Sequence, residues 1–498
     1  MKKRLVIYFH YDSRGQVDSA CRFAVSALTE QAELFFVTNG TLQPGSRIWV
    51  QGHCARLLER QNTGFDVGAY RQALLTLGRA GLDGYDEVIL MNYTLAGPVS
   101  PLPQMFSAMD ARPELDFWGL TRHYAMKSRR FGGTTGRVPE HLQSHFLAVR
   151  PGMYDDFFAY WQTVRLPQSY EQSVALHETR FTAHFARLGY RWDSYVDTRD
   201  LAGSFVNPMM ARPRELVAER GCPFFKRRSF FTPYGDELRR TDGQAAGELY
   251  RYLSAETEYP VDRLIAEMLP VQPLTSMTQN LHWHYLLGEP EGELPLELTE
   301  PRLRRGAELN PENYYWIRIP ARTSGAEGWY RNAAQPYPEH LRAAARLLET
   351  HPLLGLIGPS LPLAPLCAEG KFRQWEKDLP GLQRKMAEQG ITVPLDTAQP
   401  LPLPNGGFLV LRGAAFPQTL PPVEDFCDLW LLPLLAQQRG YASATVETQE
   451  QALARTDVLD AMLAGNRSVG AKARDLGRAV KHSLKDAFGQ NKKGGGTP

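Results

Sequence analysis

The stretch from Gln61 to Pro98 constrains the fold of this chain more than any other part of the sequence. It opens with a polar N-T-G-F-D loop at 62–66 and continues as a short amphipathic helix. After a Gly/Asp turn, an apolar run at 87–91 stops abruptly in the polar residues 92–94. Open α/β sheets bind ligands at the carboxyl edge of their strands, where such loops and strand ends meet. The stretch therefore predicts an α/β sheet with a binding crevice at that edge.

The residues on either side of this stretch continue the alternation of strands and helices. Apolar runs at 5–9 and 33–38 predict buried strands, 47–50 predicts a short third strand, and 17–28 has the spacing of a helix. Right-handed crossovers between such strands give a mostly parallel sheet. The basic, glycine-rich segment 122–136 is predicted to be a mobile loop near the crevice.

Length and composition limit the class of protein. At 498 residues the chain is too long for one compact core, so we expect two or more domains. A net charge of +2 gives no bulk attraction to nucleic acid, and five scattered cysteines fit a reducing compartment and lack metal-ligand spacing. No run approaches the ~18 apolar residues of a transmembrane helix, and the first apolar run is too short for a signal peptide. These features predict a soluble, cytoplasmic protein.

Four elements of the first part recur in the same order after residue 300, which indicates a duplicated domain. Too few residues precede the second set for a full group of opening strands, so the second copy is predicted to be abbreviated. The predicted parts are a first α/β domain, a helical connector with a linker, the abbreviated copy, and a basic amphipathic helix with its tail, at 1–205, 206–300, 301–455 and 456–498.

The tail carries basic side chains around an apolar stripe at helical spacing. The stripe consists of Val469, Ala473, Leu476, Val480, Leu484 and Phe488. A helix of this kind can lie on an anionic membrane surface. Alternatively, it packs against protein and leaves its charged face in solvent. The sequence leaves both alternatives open.

Three residues of the loop at 62–66 suit a nucleotide ligand. Gly64 lets the backbone approach a ligand closely, and the side chains of Asn62 and Asp66 can hydrogen-bond a base or a ribose. The structural alternative is that Asp66 caps the following helix and Gly64 forms a turn. The two interpretations are compatible.

Asn92 ends the next strand, where a sugar-nucleotide enzyme would keep an acidic triplet that holds Mg²⁺ or Mn²⁺ against a diphosphate. This sequence has no acid at 92–94. Either the cation is held elsewhere or none is used. In the second case Lys127, Arg129 and Arg130 are the candidate fixed charges for the leaving diphosphate.

Polar residues further along the chain supply the candidate catalytic groups. His141 is predicted to face the acceptor. It lies four residues before His145, a spacing that places two metal ligands together on a helix, but this run is predicted to be a strand, so a shared metal is disfavoured. Glu178, at the start of a helix on the crevice side, suits a general base that deprotonates a sugar hydroxyl. Its alternative role is a favourable charge on the helix dipole.

Taken together, these segments resemble the rhamnan synthesis F family. The resemblance rests on N-T-G-F-D-V-G-A-Y, Y-D-E-V-I-L-M-N with the following G-P, D-F-W-G-L-T and H-L-Q-S-H-F-L, in this order. It covers residues 1–290 well and the rest in patches. It implies a glycosyltransferase-A-like fold and inverting transfer of a deoxysugar, most simply rhamnose from dTDP-rhamnose. The implied acceptor is a lipid-linked bacterial polysaccharide at the inner, cytoplasmic face of the plasma membrane.

The resemblance also assigns roles to particular residues. Asn62, Gly64, Asp66, Asn92 and Gly97 fall on the nucleotide-sugar side, and Lys127 and Arg130 complete that predicted set. The predicted sugar or acceptor pocket consists of Asp116, Trp118, Gln143 and Ser144, and the predicted catalytic residues are Glu178 and His141. Tyr93 stands where the family has an aspartate. The alternative is therefore a catalytically inactive glycan-binding or scaffold subunit of the same pathway.

Overall fold

The computed structural model describes residues 2–132, 135–203, 207–288, 306–319, 338–360, 373–397, 401, 407–423, 426–453 and 456. It divides into two compact units, Met1–Gln272 with Gln279–His282, and Pro273–Thr278 with Trp283–Pro498. The predicted basic helix of the tail lies outside the described residues, as does most of the predicted linker. The four-part division of the chain stays a prediction. No helix within the described ranges has the length and apolar character needed to cross a membrane.

The first unit is built on a seven-stranded sheet in the order β12-β6-β11-β4-β1-β2-β3. Six of these strands are parallel, and β11 runs opposite to its neighbours β4 and β6. The strands of the unit are β1 (Arg4–His10), β2 (Glu33–Asn39), β3 (Arg56–Arg60), β4 (Glu87–Asn92), β5 (Leu95–Ala96), β6 (Phe117–Gly119), β7 (Arg122–His123), β8 (Met126–Lys127), β9 (Arg137–Val138), β10 (His141–Leu142), β11 (Phe146–Val149), β12 (Trp192–Ser194) and β13 (Phe225–Lys226). This arrangement confirms the predicted α/β class with a mostly parallel sheet.

Helices cover both faces of the sheet. The helices of the first unit are α1 (Ser19–Thr29), α2 (Pro44–His53), α3 (Phe65–Leu77), α4 (Arg79–Leu82), α5 (Leu102–Asp110), α6 (Tyr154–Thr163), α7 (Tyr170–Ser173), α8 (Thr179–Arg187), α9 (Pro208–Ala211), α10 (Pro213–Ala218), α11 (Tyr234–Arg240), α12 (Ala245–Glu256) and α13 (Val261–Met268). Val6 and Tyr8 of β1 belong to the core shared with α1 and α5, whereas Leu5 and Ile7 belong to the core shared with α3 and α6. Because both faces are buried, β1 is a continuous apolar run rather than an alternating one.

Three local predictions differ from the structure. Residues 47–50 lie in α2 rather than in a strand, and the third strand is β3. Pro44 occupies the first turn of α2, where its fixed φ favours a helix, and Ile48 is 71% exposed while Val50 is fully buried. The segment 122–136 contains β7 and β8, and β8 pairs with β9 as a hairpin. The run 141–149 is two strands, β10 and β11, with residues 143–145 between them.

The second unit holds a five-stranded sheet in the order β14-β20-β17-β18-β16. Its strands are β14 (His284–Leu287), β15 (Ala307–Glu308), β16 (Tyr314–Ile319), β17 (Leu354–Pro359), β18 (Gly407–Arg412), β19 (Thr419–Leu420) and β20 (Ala442–Thr448). The helices that follow α13 are α14 (Leu274–Asn280), α15 (Pro338–Thr350), α16 (Arg373–Glu388) and α17 (Phe426–Gln438).

Four strands of the second sheet repeat four strands of the first. The row β20-β17-β18-β16 has the order of β12-β6-β11-β4, with one parallel pair followed by two antiparallel pairs in both cases. These four strands belong to the elements that recur, in the same order, in the sequence after residue 300. Over the described residues, the second sheet therefore repeats the order and directions of four strands of the first.

Candidate functional site

The ends of the parallel strands β2 and β3 organise the loop at 62–66. The Asn39 amide donates to the Asn62 side-chain oxygen and to the Phe65 carbonyl oxygen, both at 3.1 Å. The Arg60 guanidinium donates to Asn39 Oδ1 and, at 2.9 Å, to the Thr63 carbonyl oxygen. The loop is thus held at the carboxyl edge of the sheet, where the sequence predicts the crevice.

Gly64 and Asp66 set the start of α3. Gly64 has φ +73°, and a Cβ there would lie 3.1 Å from Leu166 Cδ2, so this position favours glycine for both backbone and space. The capping position is Gly64, not Asp66. Asp66 Oδ1 accepts hydrogen bonds from the Val67 N–H and the Ser173 hydroxyl, both at 3.0 Å. Asp66 therefore connects the loop to the end of α7.

Glu178 lies in the π-helical turn Val174–Glu178 that joins α7 to α8. Its Oε2 atom accepts hydrogen bonds from the Ser144 N–H at 3.0 Å and from the Ser144 hydroxyl at 2.6 Å. Asp66 and Glu178 line one small cavity of about 20 Å³, with Ser144 and Ser173 among its other polar walls. Two predicted site residues from distant parts of the chain thus lie together.

The surroundings shift the two carboxyl groups in opposite directions. Burial would raise the pKa of Glu178, but His141, the Ser144 hydrogen bonds and Lys226 favour the carboxylate and bring that pKa below its ordinary value. Burial raises the pKa of Asp66, and the nearby Glu178 carboxylate adds to the rise. Glu178 is therefore ionised throughout the neutral range, whereas the pKa of Asp66 lies above the ordinary value of an aspartate.

His141 and His145 are each 1% exposed; His141 lies near the Glu178 carboxylate and His145 near the Lys226 ammonium. His141 Nδ1 donates to the Pro139 carbonyl oxygen at 2.8 Å, its ring stacks on His123, and its Nε2 has no hydrogen-bond partner among the described residues. His145 Nδ1 likewise has none within the described ranges. Buried polar atoms without partners are costly, so these nitrogens are available to water or a ligand.

The structure adds Lys226, which no motif of the sequence indicates as a site residue. Strand β13 pairs with β5 in the register Lys226↔Leu95, and the Lys226 ammonium donates to the Thr94 hydroxyl at 3.0 Å. Burial lowers the pKa of Lys226 to about 8, although Glu178 and Asp66 raise it. The basic triplet 226–228 was the available signal, but it lies beyond the predicted end of the first domain.

The end of β4 does not offer the acidic group that the family resemblance implies. Asn92 Oδ1 accepts from the Thr94 N–H at 3.2 Å and from the Thr94 hydroxyl. The Tyr93 ring packs edge-on against Phe9 and His10, with centroid distances of 5.7 and 5.8 Å. Burial raises the pKa of Tyr93 to about 12, so the phenol stays neutral.

The side chains of Asn92, Tyr93 and Thr94 at the end of β4 are poor ligands for Mg²⁺ or Mn²⁺. Such ions prefer several oxygen ligands, usually including carboxylates, and the adjacent Lys226 ammonium repels a second cation. Within the described ranges, no group of three or more His, Cys, Asp or Glu side chains could hold a metal ion.

Two predicted pocket residues lie away from this site. Asp116 precedes β6 at the opposite edge of the sheet, where its Oδ2 accepts from the Arg191 N–H at 2.7 Å. Trp118 is fully buried and donates from Nε1 to Glu87 Oε1 at 2.8 Å. Both residues thus support the fold at the amino edge of the strands, and the structure does not bring them to the crevice.

The remaining predicted residues occupy varied positions. Gln143 is buried and accepts from the Thr121 hydroxyl at 2.9 Å. Lys127 is exposed on β8, and Arg130 is 64% exposed and pairs with Glu171. Gly97 follows β5 and approaches the chain just before β13. Gln143 and Gly97 therefore support the edge of the sheet, while the two cations lie on its outer hairpin.

Comparisons with known proteins give one curated relative and several solved structures. A Sinorhizobium fredii protein, the uncharacterised y4gN, is 22% identical over 207 residues, which are 41% of this chain and 51% of y4gN. The chain thus spans about half the length of that relative.

The solved structures include two named glycosyltransferases. Mouse xyloside xylosyltransferase 1 is 11% identical, with a TM-score of 0.26, over 39% of this chain and 84% of that chain. A mannosyltransferase from Pyrobaculum calidifontis, in complex with GDP-Man and Mn²⁺, is 12% identical, with a TM-score of 0.27, over 56% and 73%. Such scores are too low to bear on fold or activity.

The model of one protein family covers half of the chain. Rhamnan synthesis protein F matches residues 34–291, which include the loop at 62–66, the end of β4, Glu178 and Lys226. The match thus spans the site and continues past residue 205 to the strand β13 that completes it. This chain belongs to the rhamnan synthesis protein F family.

Proposed function

We propose that this protein is an inverting glycosyltransferase that moves a deoxysugar, most simply rhamnose from dTDP-rhamnose, onto a lipid-linked bacterial polysaccharide. Family membership supports the pathway. The observation that carries the proposal is the pair of carboxylates, Asp66 and Glu178, beside the Lys226 ammonium at the carboxyl edge of a mostly parallel sheet. This edge is where α/β sheets bind nucleotides.

In the proposed step, an acceptor hydroxyl oxygen attacks the anomeric carbon of the donor sugar. The new carbon–oxygen bond forms as the bond to the nucleoside diphosphate breaks, and the diphosphate leaves with the bonding electrons. Glu178 receives the hydroxyl proton. Because the Ser144 hydrogen bonds fix Oε2, the carboxylate is held in one orientation and is ionised at neutral pH. Single displacement turns a β-linked donor into an α-linked product.

His141 is proposed to orient Glu178 rather than to transfer the proton. Its ring lies close enough to the carboxylate to favour the charged form, and its Nδ1 is engaged by the Pro139 carbonyl oxygen. Asn62, Gly64 and Asp66 are proposed to contact the nucleotide from the loop. Ser144 and Gln143 are proposed to shape the sugar or acceptor pocket.

Transfer by purified protein tests the proposal directly. The reaction contains dTDP-rhamnose, or another nucleotide sugar, and a lipid-linked acceptor. Wild type should transfer the sugar, Glu178→Gln should lose about 10²-fold or more in rate, and Glu258→Gln should match wild type because Glu258 is an exposed carboxylate away from the cavity. Equal inactivity of wild type and Glu178→Gln with several nucleotide sugars would refute the enzyme hypothesis.

The second candidate function is a catalytically inactive glycan-binding or scaffold subunit of the same pathway. The packing of Tyr93 against Phe9 and His10 favours it, because the family's aspartate is absent from this strand end. Nucleotide binding distinguishes the two functions. A scaffold should show no thermal shift with dTDP or UDP, whereas the melting temperature of the enzyme should rise with the logarithm of ligand concentration above Kd.

The proposed location is the cytoplasmic face of the plasma membrane, reached through the basic tail. The segment 466–498 should bind anionic vesicles by its positive charges and apolar stripe. Deleting this segment should abolish co-sedimentation with anionic vesicles. Neutral vesicles are the control, and with them both the full-length and the truncated protein should sediment only at background. Unchanged sedimentation of the truncated protein would remove the membrane proposal.

A further inference from the structure

Strand β13 brings the Lys226 ammonium to the end of β4. The strand pairs antiparallel with β5, and the Arg227 N–H donates to the Thr94 carbonyl oxygen at 3.0 Å. The side chains of the basic triplet then separate. Arg227 forms an ion pair with Asp18, the residue that caps α1, while Lys226 extends to the Thr94 hydroxyl. The ion pair of Arg227 anchors the segment and fixes the position of Lys226.

Lys226 is poised to accept an anion. In the described part of the chain, Thr94 is the one hydrogen-bond partner of its ammonium, and no ion pair engages it. A lysine ammonium has three N–H donors, so two remain for a ligand. Asp66 and Glu178 lie near enough to act on its charge, yet neither forms a direct ion pair with it.

The chain Lys226–Thr94–Asn92 occupies the place where a metal-dependent relative would keep a carboxylate. The Thr94 hydroxyl accepts from Lys226 and donates to Asn92 Oδ1. Asn92 also accepts from the Thr94 N–H, so its side-chain oxygen is already satisfied. Two neutral polar side chains and an ammonium thus stand where such a relative has a carboxylate. This strand end therefore carries positive charge, which suits an anion rather than a metal cation.

We infer that Lys226, held in position by the Thr94 hydroxyl, binds the diphosphate of the nucleotide sugar and neutralises its charge as it leaves, in place of a divalent cation. This inference rests on the proposed function. A fixed ammonium in a half-buried site stabilises developing negative charge without reorganisation, which is the role that a metal ion plays elsewhere. The assignment moves the diphosphate contact from Lys127 and Arg130 on the exposed hairpin to the inner edge of the sheet.

Calorimetric titration with dTDP and UDP, in buffer with EDTA, tests the inference. Wild type should bind one of the two diphosphates, and added Mn²⁺ should change its affinity less than about twofold. Lys226→Met should weaken binding about 10- to 100-fold, as expected for a lost charge-assisted hydrogen bond. Lys226→Arg should restore part of the loss, because the positive charge returns.

Lys3→Met is the matched control, since Lys3 carries the same charge at the amino edge of the sheet and stacks over Tyr85. It should bind like wild type. The Lys226→Met melting temperature should equal or exceed that of wild type, because a partly desolvated charge is removed. Equal diphosphate affinity of Lys226→Met and wild type would overturn the inference and leave the proposed function standing. A strict requirement for Mn²⁺ in diphosphate binding would also overturn the inference. If wild type binds neither dTDP nor UDP, both the inference and the proposed function are overturned.

Discussion

Arg150 and Arg412 donate to matching sets of three backbone carbonyl oxygens in the two units. Each follows or ends an antiparallel strand and donates to three backbone carbonyl oxygens spaced three residues apart, which begin in the last turn of α5 or α15 and continue into the segment after that helix. The acceptors are Met109, Arg112 and Leu115 for Arg150, and Leu348, His351 and Leu354 for Arg412. Carbonyl groups at a helix end lack partners within the helix, so each guanidinium caps the helix and ties it to the sheet. The duplication thus extends from strand order to individual hydrogen bonds.

Replacing these arginines should destabilise the unit that contains each one. Arg150→Met should cost about 3 kcal/mol or more, because it also removes a partner of the fully buried Glu87. Arg412→Met removes hydrogen bonds to three carbonyl groups and to the Tyr314 hydroxyl but no ion pair to a buried carboxylate, so its expected cost is about 1–2 kcal/mol. Hydrogen exchange measured by mass spectrometry should show faster exchange in β6 and β11 for Arg150→Met, and in β17 and β18 for Arg412→Met. Uniform acceleration across both units in either variant would contradict this assignment.

The sequence predicted those parts of the fold that short-range patterns encode. The apolar runs of β1, β2 and β4 marked their strands correctly, and the matched elements of the second unit proved to have the same strand order. Residues 47–50 misled because Arg-Ile-Trp-Val has strand propensity, whereas Pro44 and the surrounding chain favour a helix. A four-residue apolar run cannot decide between the two by periodicity alone.

The site was predictable only where its residues lie in local motifs. Asp66 and Glu178 were selected from a loop and from a helix start, and they line the same cavity. Lys226 was missed because its position depends on the pairing of two-residue strands 130 positions apart, for which the sequence carries no periodic signal. Trp118 was misplaced because a motif match does not indicate to which edge of the sheet a side chain belongs.

Removing the Ser144 hydroxyl should move the acid limb of the activity profile. Burial raises the pKa of Glu178, whereas His141, Ser144 and Lys226 lower it to a value below the ordinary range. Ser144→Ala deletes the hydrogen bond from the hydroxyl to Oε2, so the pKa should rise and kcat/KM should begin to fall at higher pH than in wild type. The measurement is kcat/KM against pH. Ser26→Ala, at a distant position on α1, should leave the profile unchanged, and an identical acid limb in Ser144→Ala would argue against Glu178 as the base.

Diphosphate affinity should fall as the pH rises through about 8. Burial lowers the pKa of Lys226 to that value, Glu178 and Asp66 raise it, and Arg228 lowers it further. His145, which also faces Lys226, is held neutral because burial lowers its pKa well below the ordinary value. Below about pH 8 the ammonium is charged and affinity should be constant, whereas above it affinity should drop by up to about tenfold per pH unit. Titrations between pH 6.5 and 9.5 at roughly unit steps would measure this limb. Lys226→Arg should abolish the limb because a guanidinium stays charged, so a limb that persists in this variant would assign the titration to another group.

Gly97→Ala should weaken diphosphate binding by displacing the strand that carries Lys226. Gly97 has φ +136°, and a Cβ at this position would lie 2.4 Å from the Pro223 carbonyl oxygen and 2.8 Å from Phe224 Cδ1. The clashing atom at 2.4 Å belongs to the backbone of Pro223, which cannot rotate away as a side chain can. The segment leading into β13 must therefore shift away from β5. The expected result is a lower melting temperature and several-fold weaker dTDP or UDP binding, measured by thermal unfolding and calorimetry. Gly84→Ala is the matched control, since a Cβ there would meet no atom within 4 Å. A Gly97→Ala protein that melts and binds like the Gly84→Ala protein would mean that the close approach of Gly97 to Pro223 does not position Lys226.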